Sequence, residues 1–347
     1  MNTKEILQFV KSATTKAPTT IAGTETFFFK DGYVTAYNNV VSIKGKIDLD
    51  IEGSVHADKF YQLLNKIQNE YTCKNNDKSV KISYGRSSAT IRKIVKGLQV
   101  YVDILFPEGY MLQPIPADFM ECLAKVKFNG YSNKLSGIFI DDDIYYSIGN
   151  SSSFCTYKGA EGFGEAFWIP SEALPIIMNI PEEINECALS RGCLYLFTDN
   201  FTVAVKLKIA EQFPLKTVEG FLEGFNDFTH TMELPQDTQQ ALARVMLSTS
   251  QDANTMFHKC FLTTKKDMLI VTNESHKTEM EIHEEFPYDS FKLEEHTYDV
   301  PIEKFLELLQ KSNKIHIIKG KVRGQESYAF GIHDESITQI LTLGMVQ

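Results

Sequence analysis

Three segments of the chain share one pattern of apolar and polar residues: Val55–Asn65, Ile169–Asn179 and Val300–Gln310. Each begins with an apolar residue, has an acid three positions later, and continues with apolar residues at helical spacing. This spacing predicts an amphipathic helix whose first-turn acid faces the positive end of the helix dipole. One such helix indicates only core packing, but three copies about a third of the chain apart indicate an internal repeat.

A second helix and several strands surround each copy in the same order. These additional helices are predicted at Thr3–Ala13, Pro116–Val126 and Thr238–Leu247. Thr3 is the expected N-cap of the first. Aromatic and β-branched runs on both sides of Asp31-Gly32 predict a hairpin, and similar runs recur in the other two thirds. We therefore predict an α+β protein of three tandem domains with like topology, each with two helices packed on antiparallel sheets, at residues 1–113, 114–228 and 229–347.

Length and composition agree with several soluble domains. The chain has 347 residues, of which 43% are hydrophobic, and it contains no apolar run long enough to span a membrane. Its six cysteines form no C-x-x-C pair, and Met1–Lys16 lacks a signal-peptide pattern. These features predict a cytoplasmic protein with free thiols.

Charge is unevenly distributed along the chain, whose net charge is −10. Residues 1–113 carry 15 Lys and Arg against 11 Asp and Glu, whereas residues 114–228 carry 8 against 16 and residues 229–347 carry 12 against 18. The overall sign therefore says little about local fields, and a nucleic-acid partner is not excluded.

Candidate catalytic and metal-binding groups have simpler explanations. Asp141-Asp142-Asp143 is a conceivable cation site, but it lies where the other two domains have a hairpin turn, and Asp favours turns. The spacing of Gly159, Gly162 and Gly164 is not that of a phosphate-binding loop. Eight histidines are scattered without metal-ligand spacing. We therefore predict that the protein is not an enzyme and uses no cofactor or metal.

The order of the elements resembles the bacterial-type DNA sliding clamp, the beta subunit of DNA polymerase III. Three segments are similar to strands of that family: Lys134–Ile138, Met268–Glu274 and the tail Leu341–Met345. The sequence departs from the family at Gly344, where the usual tail has proline, and at Asn150–Ser153, where an Asp-Gly-x-Arg segment is usual. It is identified as a remote member, with a phage origin left open.

The resemblance implies a head-to-tail dimeric ring that encircles duplex DNA without sequence preference. The helices would line the hole and present Lys and Arg to the phosphates. The residues expected to contact DNA are Lys4, Lys11, Lys59, Lys66, Lys125, Lys127, Arg244, Lys304, Lys311 and Lys314. The middle repeat helix carries no lysine and departs from this pattern. For each lysine, an ordinary solvated helix face is the alternative.

The resemblance also implies two protein contacts. The dimer interface is expected to include Ala89, Ile91, Met246 and Leu247. DNA polymerase and a clamp loader would bind through short linear peptides in a groove formed by Leu135, Gly149, Ser151, Phe154, Pro214, Val218, Leu341, Leu343 and Met345. Leu341, Leu343 and Met345 alternate, so they are expected to share one face of the final strand. Core packing of this row is the alternative.

The resemblance implies a DNA polymerase processivity factor, a sliding clamp that tethers replication and repair proteins. A protein with the same fold that binds only proteins, as an adaptor or structural component, remains an alternative. An enzyme with an unrecognised site at a domain junction is a further one. Composition and motifs do not separate the clamp from the adaptor, but ring closure would.

Overall fold

The computed structural model describes residues 1–15, 21–68, 70–95, 105–126, 136–148, 154–223, 230–248, 258–265, 268–273, 282–287, 295–322, 325–333 and 337–345. Its α-helices are α1 Thr3–Lys11, α2 Ala57–Lys66, α3 Phe119–Val126, α4 Leu174–Ile177, α5 Leu215–Glu223, α6 Thr238–Ser248 and α7 Ile302–Leu309. No described helix is long and apolar enough to cross a membrane. All six cysteines are free thiols, as predicted.

The strands are short and antiparallel. Those of the first part of the chain are β1 Thr26–Lys30, β2 Tyr33–Tyr37, β3 Val41–Lys46, β4 Gly53–His56, β5 Tyr71–Asn75, β6 Ser79–Tyr84 and β7 Ser87–Arg92. Those of the middle part are β8 Gln113–Pro114, β9 Gly137–Asp141, β10 Ile144–Ile148, β11 Phe154–Lys158, β12 Phe167–Pro170, β13 Glu186–Ser190, β14 Cys193–Phe197 and β15 Phe201–Lys206. Those of the last part are β16 His230–Glu233, β17 Lys259–Lys265, β18 Met268–Thr272, β19 His283–Pro287, β20 His296–Pro301, β21 Lys314–Val322, β22 Gln325–His333, β23 Ile337–Thr342 and β24 Gly344–Met345.

Contacts divide the chain into two compact units. Unit 1 comprises Met1–Ala124, Gly137–Asp143 and Ala160–Ala210, and unit 2 comprises Lys125–Ser136, Ile144–Gly159 and Glu211–Gln347. Each unit thus contains strands from the predicted middle domain together with those of one outer domain. The three domain boundaries stay a prediction.

Unit 1 contains a sheet in the order β4-β1-β2-β3-β15-β14-β13-β8 and a smaller sheet in the order β5-β6-β7. Strand β3 pairs with β15 from Val41 opposite Val205 to Gly45 opposite Phe201. Helices α1 and α2 pack against each other, and α1 also packs on β2 and β3. The β3–β15 pairing therefore joins strands of the first and second repeats into one sheet.

Unit 2 repeats the arrangement. Six of its strands follow the order β10-β11-β23-β22-β21-β16, and five more follow the order β19-β18-β17-β20-β24. Strand β11 pairs with β23 from Phe154 opposite Ile340 to Tyr157 opposite Ile337. In this unit α6 packs against α7. The β11–β23 pairing joins the second and third repeats as β3–β15 joins the first and second.

The repeated segment is a strand end followed by a helix, and not a helix throughout. Val55, Ile169 and Val300 lie in β4, β12 and β20, so the helices begin two to five residues later than predicted. The middle copy is regular only over Leu174–Ile177, and Pro175 lies in its first turn. Because proline has no N–H to donate, it is tolerated there but would interrupt a helix that began further back. The shared apolar residue at the head of each copy packs from a strand, which helical spacing alone did not indicate.

Capping also differs from the prediction. Asn2, and not Thr3, is the N-cap of α1: its side chain accepts hydrogen bonds from the backbone N–H groups of Lys4 and Glu5 at 3.0 Å. Glu5 completes a capping box by accepting from the Asn2 N–H at 2.8 Å. Helix α5 was not predicted, although Val218, Phe221 and Leu222 have helical spacing.

Aromatic side chains join the helices to the sheets. In the first repeat, the ring of Phe60 on α2 lies 5.3 Å from that of Phe29 on β1. In the third, Phe305 on α7 lies 5.3 Å from Phe330 on β22. Gly45 on β3 allows α1 to approach, since a Cβ there would lie 3.0–3.1 Å from carbons of Val10, Ile6 and Phe201.

Replacing Gly45 by Val should therefore overpack the contact between α1 and the sheet. We expect a loss of about 1 to 3 kcal/mol in the free energy of unfolding, measured by urea denaturation. The control is Gly220→Ala in α5, where an added Cβ meets no atom within 4 Å. It should leave stability unchanged or raise it by up to about 1 kcal/mol. Equal stability of Gly45→Val and the unmodified protein would contradict the close approach.

Candidate nucleic-acid and partner interface

Three of the predicted DNA-contacting lysines present their side chains to solvent. Lys59 and Lys66 lie on α2, and Lys314 begins β21. All three are exposed, and no described residue makes an ion pair with them. Lys125 at the end of α3 is also exposed.

Two lysines on α1 are engaged by neighbouring groups. The Lys4 Nζ donates to the Ile67 carbonyl just beyond α2, at 2.8 Å. Lys11 pairs with Asp58 at 2.6 Å and lies over the Tyr61 ring at 5.2 Å from its centroid. Both side chains are half-buried, so α1 and α2 are held together by the cations that the sequence assigns to DNA.

Lys304 does not face solvent, which corrects its assignment as a DNA contact. Its side chain is 4% exposed and its Nζ lies 3.2 Å from the Glu307 carboxylate. The equivalent position in the first repeat is Lys59, which is exposed. Arg244 on α6 is about half exposed but binds Glu284 at 2.6 Å, and this contact raises the pKa of the guanidinium and lowers that of the carboxyl.

Lys311 is tied to unit 2 by three contacts. Its Nζ donates to the Lys125 carbonyl and to Gln339 Oε1, each at 2.6 Å, and lies 3.8 Å from Cys155 Sγ. Gln339 is 2% exposed and Cys155 is fully buried. Lys125 is in the last turn of α3, where a cation complements the negative end of the helix dipole. We therefore reassign Lys311 from a DNA contact to a structural one.

Burial raises the pKa of the Cys155 thiol to about 11, and the neighbouring Lys311 ammonium only partly offsets this. The thiol is therefore protonated at neutral pH and unreactive. Ser147 donates to the next carbonyl of α3, that of Val126. The end of α3 is thus satisfied by side chains from β10 and from the segment after α7.

Residues of the expected dimer interface lie at accessible positions. Ala89 and Ile91 are half-buried on β7, an edge strand. Leu247 near the end of α6 is 87% exposed, the behaviour of an apolar residue that lacks a covering partner in one chain. Met246 beside it is half-buried.

The expected peptide groove is only partly described. Lys127 of the DNA set and Leu135, Gly149 and Ser151 of the groove lie outside the described residues. Phe154 opens β11 and pairs with Ile340. Pro214 and Val218 lie before and within α5, and Val218 is 4% exposed.

The prediction that Leu341, Leu343 and Met345 lie on one final strand is wrong. Strand β23 ends at Thr342, and Gly344–Met345 forms β24, which pairs with β20 in another sheet. The backbone changes partners between them, with the Leu343 N–H donating to the Tyr328 carbonyl at 2.9 Å. Leu341 and Leu343 are 5% and 7% exposed, which favours the core alternative for both.

Acidic side chains near the Asp141–Asp143 turn act within the loop. Asp142 Oδ1 accepts from the Gly164 N–H at 3.0 Å, and Asp118 accepts from the Ala160 N–H at 2.7 Å. In the part of the chain that the structure describes, no group of three His, Cys, Asp or Glu side chains is placed to hold a metal ion.

Comparisons with known proteins identify the architecture. No family model and no curated protein matches the sequence. Among solved structures, the DNA polymerase sliding clamp of Bacillus subtilis is 16% identical, with a TM-score of 0.77 over 99% of this chain and 97% of that one. The DNA polymerase III beta chain of Streptococcus pneumoniae is 15% identical over the same shares, with a TM-score of 0.77. The Pseudomonas aeruginosa sliding clamp bound to griselimycin is 12% identical, with a TM-score of 0.75 over 99% and 97%.

The chain has the sliding-clamp fold. The predicted resemblance and fold class are thereby confirmed along nearly the whole chain. At 11–16% identity the likeness establishes the backbone arrangement and leaves individual contacts to be argued from this sequence. Lys304, Lys311 and the tail differ from their predicted roles because equivalent sequence positions have different side-chain surroundings in this fold.

Replacing Lys311 by Met in this clamp fold should leave the buried Gln339 Oε1 without this donor, and should leave the Lys125 carbonyl with the Cys155 thiol at 3.8 Å in place of the ammonium at 2.6 Å. We expect a loss of about 1 to 3 kcal/mol in the free energy of unfolding, because the buried Gln339 acceptor loses a hydrogen bond. Cys155 should also react faster with a thiol reagent under native conditions. Lys314→Met, an exposed lysine three positions on, is the control and should change neither quantity. Unchanged stability and thiol protection in Lys311→Met would contradict the structural role.

Proposed function

We propose that the protein is a DNA sliding clamp: two copies close head to tail into a ring around duplex DNA and tether a polymerase and other replication or repair proteins. The proposal rests on the sliding-clamp fold and, above all, on the edges that the strand pairing leaves open. The solved structures similar to this chain are themselves DNA polymerase sliding clamps or beta subunits.

The open edges follow a rule set by the two pairings within the chain. Strand β3 is the third strand of the first repeat, and it pairs with β15, the last strand of the second repeat. In the same way β11, the third hairpin-sheet strand of the second repeat, pairs with β23, the last hairpin strand of the third repeat. The corresponding strands left over are β19 in the third repeat and β7 in the first. Both are edge strands of their sheets among the described residues. In a head-to-tail dimer, β7 of each copy would pair with β19 of the other. These two contacts would give both of these edges in each copy a hydrogen-bonding partner and close the ring.

Charge and apolar surface support the same contact. Strand β19 carries Glu285 and Glu284, the latter already paired with Arg244 of α6, and residues 229–347 are acidic overall, whereas residues 1–113 are basic overall. Leu247, 87% exposed on α6, supplies an apolar group on the helix that contacts β19 through the Arg244–Glu284 pair. An apolar centre with complementary charges around it is the usual anatomy of a protein interface.

The ring predicts that Met246→Asp with Leu247→Asp gives a folded monomer. Light scattering during size-exclusion chromatography should report twice the 39.4 kDa chain mass for the unmodified protein and the single mass for the variant. The control is Ile209→Asp, an exposed apolar residue that belongs to neither β7 nor α6, which should stay dimeric. A monomeric unmodified protein at micromolar concentration would favour the protein-binding adaptor.

Contact with DNA would come from the accessible helix-side cations. Replacing Lys59, Lys66 and Lys314 by Ala should shorten retention on closed circular DNA, because each phosphate contact contributes through counterion release. The slope of log affinity against log salt should become less steep by about 2 to 3. The control removes equal charge at Lys30, Lys46 and Lys206, exposed lysines on β1, β3 and β15. A sequence-specific footprint on linear DNA would exclude sliding.

Partner peptides would bind near the pairing of β11 with β23. Support for this location is that Phe154 begins β11, opposite Ile340 of β23, and that the chain beyond β23 pairs with β20 in another sheet. Pro214, the residue before α5, would complete the groove. Because Leu341 and Leu343 are mostly buried, a peptide side chain would reach them only after a small displacement of the tail backbone. The Pseudomonas aeruginosa neighbour is bound to griselimycin, which shows that a clamp of this fold takes a ligand.

A further inference from the structure

We propose that the exposed face of the β5-β6-β7 sheet binds the phosphodiester backbone of a nucleic acid. This surface is separate from the helix-side lysines that are proposed above to contact DNA inside the ring. Strand register sets the composition of the face. The residues that point to this face are Thr72, Lys74, Ser79, Lys81, Ser83, Ser88, Thr90 and Arg92. All eight are Lys, Arg, Ser or Thr, and none is acidic or apolar.

Burial on the opposite face of this sheet shows that the Lys and Arg face is the one exposed to solvent. Val80 and Ile82 of β6 are fully buried there. Cys73 of β5 is paired with Ile82 on that side, and burial raises the pKa of its thiol to about 11. Lys74, Lys81 and Arg92 are therefore presented to solvent by a sheet whose other side is anchored in the core.

Two cations are held together without a counterion. Lys74 lies directly opposite Lys81 in the β5–β6 ladder. Directly opposed side chains have Cβ atoms about 5 Å apart, and like charges in that position destabilise a sheet. No described residue makes an ion pair with either lysine or with Arg92. An arrangement that is unfavourable in the free chain becomes favourable when an anion lies between the ammonium groups.

Edge protection accounts at most for Lys74 and Arg92, which lie on the edge strands β5 and β7. Lysines on edge strands commonly prevent strand addition, but Lys81 is on the central strand β6. A merely solvated face would also mix both signs of charge. The equivalent face of the second repeat is apolar instead: Ala188, Tyr195 and Ala204 are buried beneath Phe106 and Tyr110 of the same chain.

Phosphodiester chemistry fits the face better than an acidic protein surface. Lys, Arg, Ser and Thr are the side chains that most often contact phosphate oxygens without reading bases. Three strands span about 10 Å, which corresponds to roughly three phosphates along one DNA strand. The face offers neither an aromatic ring for base stacking nor an apolar anchor for a peptide.

The test uses a fluorescent linear duplex of about 16 base pairs, whose open ends prevent retention by a ring. The protein is the Met246→Asp, Leu247→Asp variant, expected to be a monomer; since the linear duplex cannot retain a ring, the result does not depend on whether the clamp function holds. Adding Lys74→Ala, Lys81→Ala and Arg92→Ala should weaken binding and make the log affinity against log salt slope less steep by about 2 to 3. The charge-matched changes at Lys30, Lys46 and Lys206 should weaken it much less.

A stability measurement separates lost binding from misfolding. Lys74→Thr alone should raise the melting temperature, since it removes the like-charge pair, and should still weaken DNA binding. Unchanged binding in the triple variant, or an equal loss in the charge-matched control, would overturn the proposal. Competition by a polyglutamate peptide as effective as that by unlabelled duplex would also overturn it, in favour of an acidic protein ligand.

Discussion

Backbone hydrogen bonding at strand edges is the constraint on which this structure depends. Each repeat ends one sheet with a strand whose N–H and C=O groups need a partner, and the next repeat supplies it through β3–β15 and β11–β23. The repeats are therefore joined by the same ladders that build them. This explains why contacts group the chain into two units although its sequence repeats three times.

Side-chain environment decides which repeated lysines remain available to a ligand. Lys59 and Lys304 occupy the same position in two copies of one segment, yet the first is exposed and the second is 4% exposed beside Glu307. Lys66 and Lys311 differ in the same way, because Gln339 and the end of α3 surround only the second. Whether a repeated lysine can bind an anionic ligand thus depends on which residues pack against each copy of the segment.

Local patterns predicted six of the seven described α-helices and most hairpins because their signals are short-range. Asp31-Gly32, for example, has positive φ at both residues, as the two-residue turn between β1 and β2 requires. Strands β4, β12 and β20 were missed because each ends within the repeated segment, where its apolar residues continue the helical spacing; β4 and β20 run directly into a helix, and three residues separate β12 from α4. The burial and contacts of Lys304, Lys311 and the tail depend on segments distant in the sequence, so no local pattern predicts them.

The tail has a mechanical consequence. Within a few residues, the chain pairs with β22 through β23 and with β20 through β24, so one segment is hydrogen-bonded to two sheets. Separating those sheets at this end requires breaking only one of the two ladders, and β20–β24, with two residue pairs against five for β22–β23, is the shorter. The tail therefore links the two sheets, and the β20–β24 ladder is the one expected to open first.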